Sequence, residues 1–405
     1  MNVHLSLLHA YPFERLRQLF SDVTPDAHFS PISLGIGEPR HPTPDLIKKA
    51  YCQAIEEGAG LAAYPATAGD LALRQAISLW LYKRYGLAVR ASDQILPVNG
   101  SREALFAFAQ TIVQAEPGKA KPLVVCPNPF YQIYEGAALL AGAEPYYVES
   151  VPERNFAQDW ASVPAEVWAR TQLLFVCSPG NPAGAVMPLQ EWKTLFELSD
   201  RYGFVIASDE CYSEIYFRDT PPLGGLEAAA QLGRSDFKNL VAFTSLSKRS
   251  NVPGMRSGFC AGDAALMTQF LRYRTYHGSA MSPVVQSASI AAWQDENHVQ
   301  ENRALYREKF HAVTPVLAQV LDVRLPDAGF YLWAKVRGSD QDFARALYAA
   351  YNVTVLPGSY LARSAQGHNP GAGYVRMALV AQTAECLEAA HRIAAFVRDT
   401  HRPQP

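Results

Sequence analysis

The chain has 405 residues, 49% of them apolar or aromatic and 18% charged, with a formal net charge of -2. That composition is globular and long enough for two cores, and it excludes a disordered chain. The near-neutral balance, with no block of five like charges, gives nucleic acid or an anionic membrane surface no electrostatic hold.

In chain order, the apolar patch 5–10 lacks a basic flank and is broken by Tyr11-Pro12, so it does not read as a signal peptide. Helical spacing predicts an arm helix over 12–20, a short strand near 32–36, and helices over 45–57 and 70–85. The middle alternates regularly. Apolar strands are expected at 123–126, 173–177, 204–207 and 240–244, with helices over 103–114, 131–141 and 189–202. This alternation implies a parallel sheet covered on both faces, with ligands bound at the carboxyl ends of its strands. Beyond about residue 293 the texture changes. A charged helix over 297–310, strands at 323–326 and 329–333, and helices over 340–351 and 384–397 read as a second, smaller α/β layer. The division expected is a large domain of residues 50–295 and a small one of 1–49 with 296–405, the first part including the arm. No apolar run approaches the ~18 residues of a bilayer crossing. The six cysteines form no Cys-x-x-Cys pair, so reduced thiols in cytoplasm are expected, and no metal site.

The chemistry-bearing residues fall at the strand ends. Gly100, Ser101 and Arg102 open a helix, which makes either an anion site or an ordinary cap. Tyr131 follows the 123–126 strand and either stacks on a planar ring or packs in the core. Asn181 lies in Ser178-Pro179-Gly180-Asn181-Pro182-Ala183-Gly184, a turn its Pro and Gly content already explains, though the amide could donate to a ring oxygen. Asp209 ends the next strand, as a helix cap or as partner to a pyridinium N–H, with Tyr212 three residues on. Ser245-Leu246-Ser247-Lys248 then places a lysine at the end of a buried strand, with hydroxyls beside it and Arg256 eight positions on. A lysine for an imine, a phosphate grip and an acid for the ring nitrogen are what pyridoxal phosphate requires.

With these motifs, and with Tyr374-Val375-Arg376 near the end, nearly the whole chain resembles the class I/II, aspartate aminotransferase-like family of pyridoxal-phosphate enzymes. The resemblance implies the fold-type I architecture: a large domain with a mostly parallel seven-stranded sheet sandwiched by helices, plus a smaller α/β domain. It implies that Lys248 forms the imine and moves the proton, Asp209 pairs with the ring nitrogen, and Asn181 and Tyr212 bond the ring oxygen. It further implies that Tyr131 stacks on the ring, and that Gly100, Ser101, Arg102, Ser245, Ser247 and Arg256 surround the phosphate. Tyr64 would reach the phosphate of a second subunit, hence a homodimer; Arg376 and Gly37, with Asn181, would bind the substrate carboxylate. Cis peptides are implied at Asn128-Pro129 and Asn181-Pro182.

Finer stretches, among them 34–44 and 247–256, resemble the bacterial succinyldiaminopimelate aminotransferases. That resemblance implies glutamate as amino donor and a long, multiply anionic substrate. Arg40, Arg274, His277 and Arg363 are the candidates for its far end. A broad aspartate or keto-acid aminotransferase and a C–S lyase would use the same cofactor residues. A pyridoxal-phosphate-binding transcriptional regulator is disfavoured, because the segment before Gly37 is too short for a DNA-binding module.

Overall fold

The computed structural model describes residues 1–58, 60–365 and 367–400. After the arm helix Pro12–Leu19 come β1 (Ile32–Ser33), β2 (Ile95–Val98), β3 (Leu123–Asn128), β4 (Glu144–Val151), β5 (Ala157–Gln158), β6 (Thr171–Cys177), β7 (Val205–Asp209), β8 (Leu240–Ser245) and β9 (Gly258–Gly262). The main sheet has the order β2-β9-β8-β7-β6-β3-β4-β5. Its five central strands, β4, β3, β6, β7 and β8, are parallel, whereas β9 is antiparallel to β8 and β2. The expected seven strands are present, and β5, only two residues long and antiparallel to β4, adds an eighth at the edge.

Strands β3, β6, β7 and β8 are largely apolar and buried because both faces are covered. Val125, Leu174, Ile206 and Leu240 enter one core; Val124, Phe175, Ala207 and Val241, each one register step away, enter the other. Glycine in β9 has a steric cause. A Cβ at Gly258 would lie 2.3 Å from the Thr244 carbonyl oxygen, and one at Gly262 would lie 2.0 Å from that of Leu240. Only a residue without a side chain lets these backbones approach.

A second layer holds β10 (Tyr331–Lys335), β11 (Val353–Thr354), β12 (Leu356–Pro357) and β13 (Tyr374–Ala378). β10, β13 and β12 form an antiparallel sheet, while β11 pairs with β1 and so ties the segment after the arm to this layer. Helices Asn297–Ala318, Asp340–Tyr351 and Thr383–Thr400 complete it around Phe310, Leu332, Met377 and Ile393. The strand expected at 323–326 is absent: Asp322 alone bridges to Lys335, and the chain then runs on without ladder bonds. The charged helix extends well past residue 310, to Ala318. Among the described residues no helix is long and apolar enough to cross a membrane, and no group of His, Cys, Asp and Glu could hold a metal ion.

Candidate active site

Five turns meet at one edge of the main sheet. β2 leads into Gly100-Ser101-Arg102, β3 into Tyr131, β6 into the turn of Asn181, β7 into Asp209 and Tyr212, and β8 into the four-residue helix Leu246–Arg249 that carries Lys248. From the second layer come Tyr331 in β10 and Arg376 in β13. With the segment 36–39 and Tyr11 of the arm, these residues other than Gly100 wall a cleft of about 500 Å³.

Asp209 is buried at the inner end. One carboxylate oxygen accepts from the Tyr134 hydroxyl at 2.8 Å, the other from the Cys211 amide at 3.3 Å. Among the described residues its carboxylate has no ion-pair partner. A buried carboxylate is expensive without a cation, and the charged N–H of a protonated pyridine would supply one. The turn after β2 is shaped for an anion. Gly100 has φ 89°, and a Cβ there would lie 2.2 Å from Arg256 Nη2. The Arg256 guanidinium therefore lies against the Gly100 backbone, just before the N-terminus of helix Ser101–Ile112, so cation and helix dipole act on one spot. The residues present thus fit pyridoxal phosphate at both its ring nitrogen and its phosphate.

Arg376 is buried in β13. Its Nη1 donates to Asn181 Oδ1 at 3.0 Å and its Nη2 to the Gly35 carbonyl at 3.1 Å, and among the described residues its Nε has no partner. The guanidinium sits 4.2 Å from the centre of the Tyr331 ring. The Tyr331 and Tyr212 hydroxyls are 3.2 Å apart. Burial, then Tyr331, pushes the Tyr212 hydroxyl well above the usual phenol range. A Cβ at Gly37 would lie 1.9 Å from the Tyr331 hydroxyl oxygen, so glycine at this position is what admits the ring.

Some expected residues occupy other positions. Ser247 lines the cleft, but Ser245 does not; its Oγ accepts from the Ser247 amide at 3.1 Å and caps the lysine helix. Arg102 lines the cleft: its Nε donates to the Tyr131 hydroxyl and its Nη2 to the Tyr11 hydroxyl at 3.4 Å. Burial, then Tyr11, raises the Tyr131 hydroxyl. Tyr64 is fully exposed, outside the cleft of its own chain. Of the four residues expected at a substrate's far end, none lines the cleft. Arg274 is held by Glu103 at 2.6 Å, Arg363 by both oxygens of Glu135 and Arg40 by Glu385, and His277 ends a helix. Both implied cis peptides are present, with a third at Ser178-Pro179.

The sequence reading passed over Tyr11, Tyr134, Cys211 and Tyr331. Cys211 lines the cleft, its thiol donating to Ser101 Oγ at 2.9 Å; its place between Asp209 and Tyr212 was a local clue. Tyr134 has no local signal, since its role exists only through a contact with Asp209 across 75 positions.

The model of the family "Aminotransferase class I and II" matches residues 30–393. A curated LL-diaminopimelate aminotransferase of Nitratidesulfovibrio vulgaris is 33% identical over 369 residues, covering 90% of each chain. One of Aquifex aeolicus is 32% identical over 366 residues, 89% of this chain and 90% of that one. The crystal structure of an aminotransferase from Neisseria meningitidis Z2491 is 56% identical, with a TM-score of 0.93 over 98% of this chain and 99% of that one. With these motifs, this cleft and a family match over most of its length, the chain belongs to the class I and II aminotransferases and is a pyridoxal-phosphate-dependent transaminase.

Proposed function

We propose that this enzyme moves an amino group between glutamate and N-succinyl-2-amino-6-oxopimelate, as an N-succinyldiaminopimelate aminotransferase of lysine biosynthesis. The observation that carries this reading is a cleft that offers two cations, Arg376 and Arg102, to a long substrate with three carboxylates. Arg376 presents a buried guanidinium whose Nε has no partner among the described residues. Among the described residues Arg102, also in the cleft, has two phenols and no carboxylate for partners. Arg256 is taken up by the anion cradle at Gly100.

Pyridoxal phosphate supplies the electron sink. On this reading Asp209 holds the ring nitrogen protonated, and Tyr134 orients that carboxylate. Asn181 and Tyr212 would donate to the ring oxygen, Tyr131 would cover the ring, and Gly100, Ser101, Ser247 and Arg256 would hold the phosphate. Arg376 grips the α-carboxylate beside Gly37. Lys248 Nζ would take up and return the proton at the substrate α-carbon, the role of a general acid–base. Two half-reactions through one cleft give ping-pong kinetics. Tyr64, exposed on its own chain, completes the phosphate site of a second protomer in a homodimer, in the cytoplasm.

A second reading, LL-diaminopimelate itself as amino donor, is favoured by the names of the relatives that share about a third of the sequence. A substrate panel separates the two. Purified enzyme with glutamate as donor is expected to release 2-oxoglutarate fastest with the succinylated keto acid. A higher kcat/KM with LL-diaminopimelate and 2-oxoglutarate selects the second reading. Aspartate or an aromatic amino acid as best substrate rejects both, and pyruvate with ammonia marks a lyase. Arg102→Gln is expected to raise KM for the succinylated substrate about tenfold, the loss of one charge-assisted bond.

A further inference from the structure

Lys309 is 1% exposed. Lysine is almost never fully buried unless paired with an acid, and among the described residues Lys309 has no carboxylate within ion-pair distance. Its Nζ lies 3.0 Å from His41 Nε2 and 4.9 Å from the centre of the Tyr306 ring. The charged groups acting on it are Glu308 of its own helix and Glu385 beside Cys386, with Arg40 paired to Glu385. A methionine would fill this space without the cost of burying a charge, so the position calls for an account of what the ammonium does.

The hydrogen bonds give a direction. An ammonium has no acceptor, so Lys309 donates to His41 Nε2. The ring proton of His41 must then sit on Nδ1, 2.8 Å from Asn302 Oδ1. Asn302 Oδ1 also accepts from Asn251 at 2.9 Å. The amide of Asn302 is thereby turned so that its Nδ2 donates to the carbonyls of Lys248 and Arg249, at 3.3 and 3.4 Å. These carbonyls end the four-residue helix Leu246–Arg249, where no further turn satisfies them. At the other end, His41 follows the cleft-wall segment 36–39, and Thr43 ties the same stretch to the Asn251 carbonyl at 3.1 Å.

We propose that Lys309, His41 and Asn302 are positioning residues: a buried, one-way chain of donors that fixes the backbone of Lys248 and the wall of the cleft against each other. Lys309 touches neither substrate nor cofactor. It acts through the His41 tautomer and the Asn302 amide on where Lys248 Nζ sits. Reach and angle at a proton-transferring amine control rate steeply, whereas the α-carboxylate grip at Arg376 lies outside this chain. The inference rests on the reading of Lys248 as the imine lysine.

The test uses the pyridoxal-phosphate-loaded enzyme and two variants. Lys309→Met removes the charge at equal length. Asn302→Asp keeps the acceptor for His41 and Asn251 and removes the donor to Lys248. Both are expected to lower kcat about tenfold with KM for glutamate within about twofold. Both are also expected to raise, by about half a unit, the pH midpoint of the visible absorbance change of the lysine-bound cofactor, since each makes the network less positive. A folded variant of either kind with wild-type kcat and an unmoved midpoint overturns the proposal. Failure of both to fold also overturns it, because the chain would then serve stability alone. Borohydride reduction of the wild type, followed by peptide mapping, separates the two levels: a label on a lysine other than Lys248 sinks the reading of the site, and a label on Lys248 leaves the variants to decide the relay.

Discussion

At the scale of single residues, two glycines are set by side chains from distant parts of the chain. Gly37 faces the Tyr331 hydroxyl and Gly100 the Arg256 guanidinium, at separations no Cβ tolerates. The consequence differs between them. Arg256 is a long chain that can swing, whereas Tyr331 is wedged between the Tyr212 ring, 5.7 Å away centre to centre, and the Arg376 guanidinium. Gly37→Ala must therefore move Tyr331, and Tyr331 moves Arg376 with it. The expected result is a fold that stays intact and a KM for glutamate raised about tenfold or more, because the guanidinium loses its alignment to the carboxylate. Gly37→Ala with unchanged KM would show that Tyr331 has room to yield. The same residue scale explains why Tyr134 and Tyr331 escape a reading of sequence alone. Their partners lie 75 and 119 positions away, and nothing in the flanking residues announces them. Asp209, Asn181 and Lys248 are legible because each sits at the end of an apolar strand, a local pattern.

At the scale of elements, legibility follows burial. The central strands β3, β6, β7 and β8 read directly from their apolar runs because both faces are covered. β2, β4 and β9 do not. β2 contains Pro97, which argues against a strand except at an edge, and β2 is an edge strand. β4 likewise carries Pro145 and is half-exposed along much of its length. β9 is rich in small residues because its neighbours press close. The false strand at 323–326 is the converse, apolar residues without a ladder partner. Helix Asn297–Ala318 was visible as a helix, but its buried Lys309 was hidden in a charged pattern that reads as a solvated face. That lysine gives the element a pH dependence. Burial first, only partly offset by Cys386, Glu308 and Glu385, lowers its pKa from 10.5 to about 8. Between these values the unfolded chain binds more protons than the folded one, so stability rises with pH there. The cost of the buried charge is fully present below about pH 8 and is gone above the unfolded value. Relative to Lys309→Met, the wild type should gain about 2 kcal/mol between roughly pH 7.5 and 9.5. Urea unfolding midpoints of both proteins across that range measure it, and parallel curves would mean that Lys309 titrates normally.

At the scale of the whole molecule, the described chain presents a cleft whose walls come from the sheet edge, the second layer and the arm, and a tyrosine that serves none of them. Tyr64 stands fully exposed on its own chain. A two-fold dimer that places Tyr64 at the partner's phosphate would cover it. Such a symmetric contact makes the two cleft–tyrosine pairs independent, each drawing Lys248 from one protomer and Tyr64 from the other. The arrangement is testable by complementation. Lys248→Ala alone is expected to be inactive, and Tyr64→Ala to hold the cofactor weakly. Mixed, unfolded together and refolded in equal amounts, they form hybrid dimers in about half of the population, and each hybrid has one site with both native residues. Activity at low cofactor should then rise to about a quarter of the wild-type value per protomer. If instead each chain uses its own Tyr64, every site in the mixture lacks one residue or the other, and activity stays at that of the Tyr64→Ala protein diluted by half. The two arrangements thus differ in sign: mixing restores activity only when the tyrosine crosses the interface.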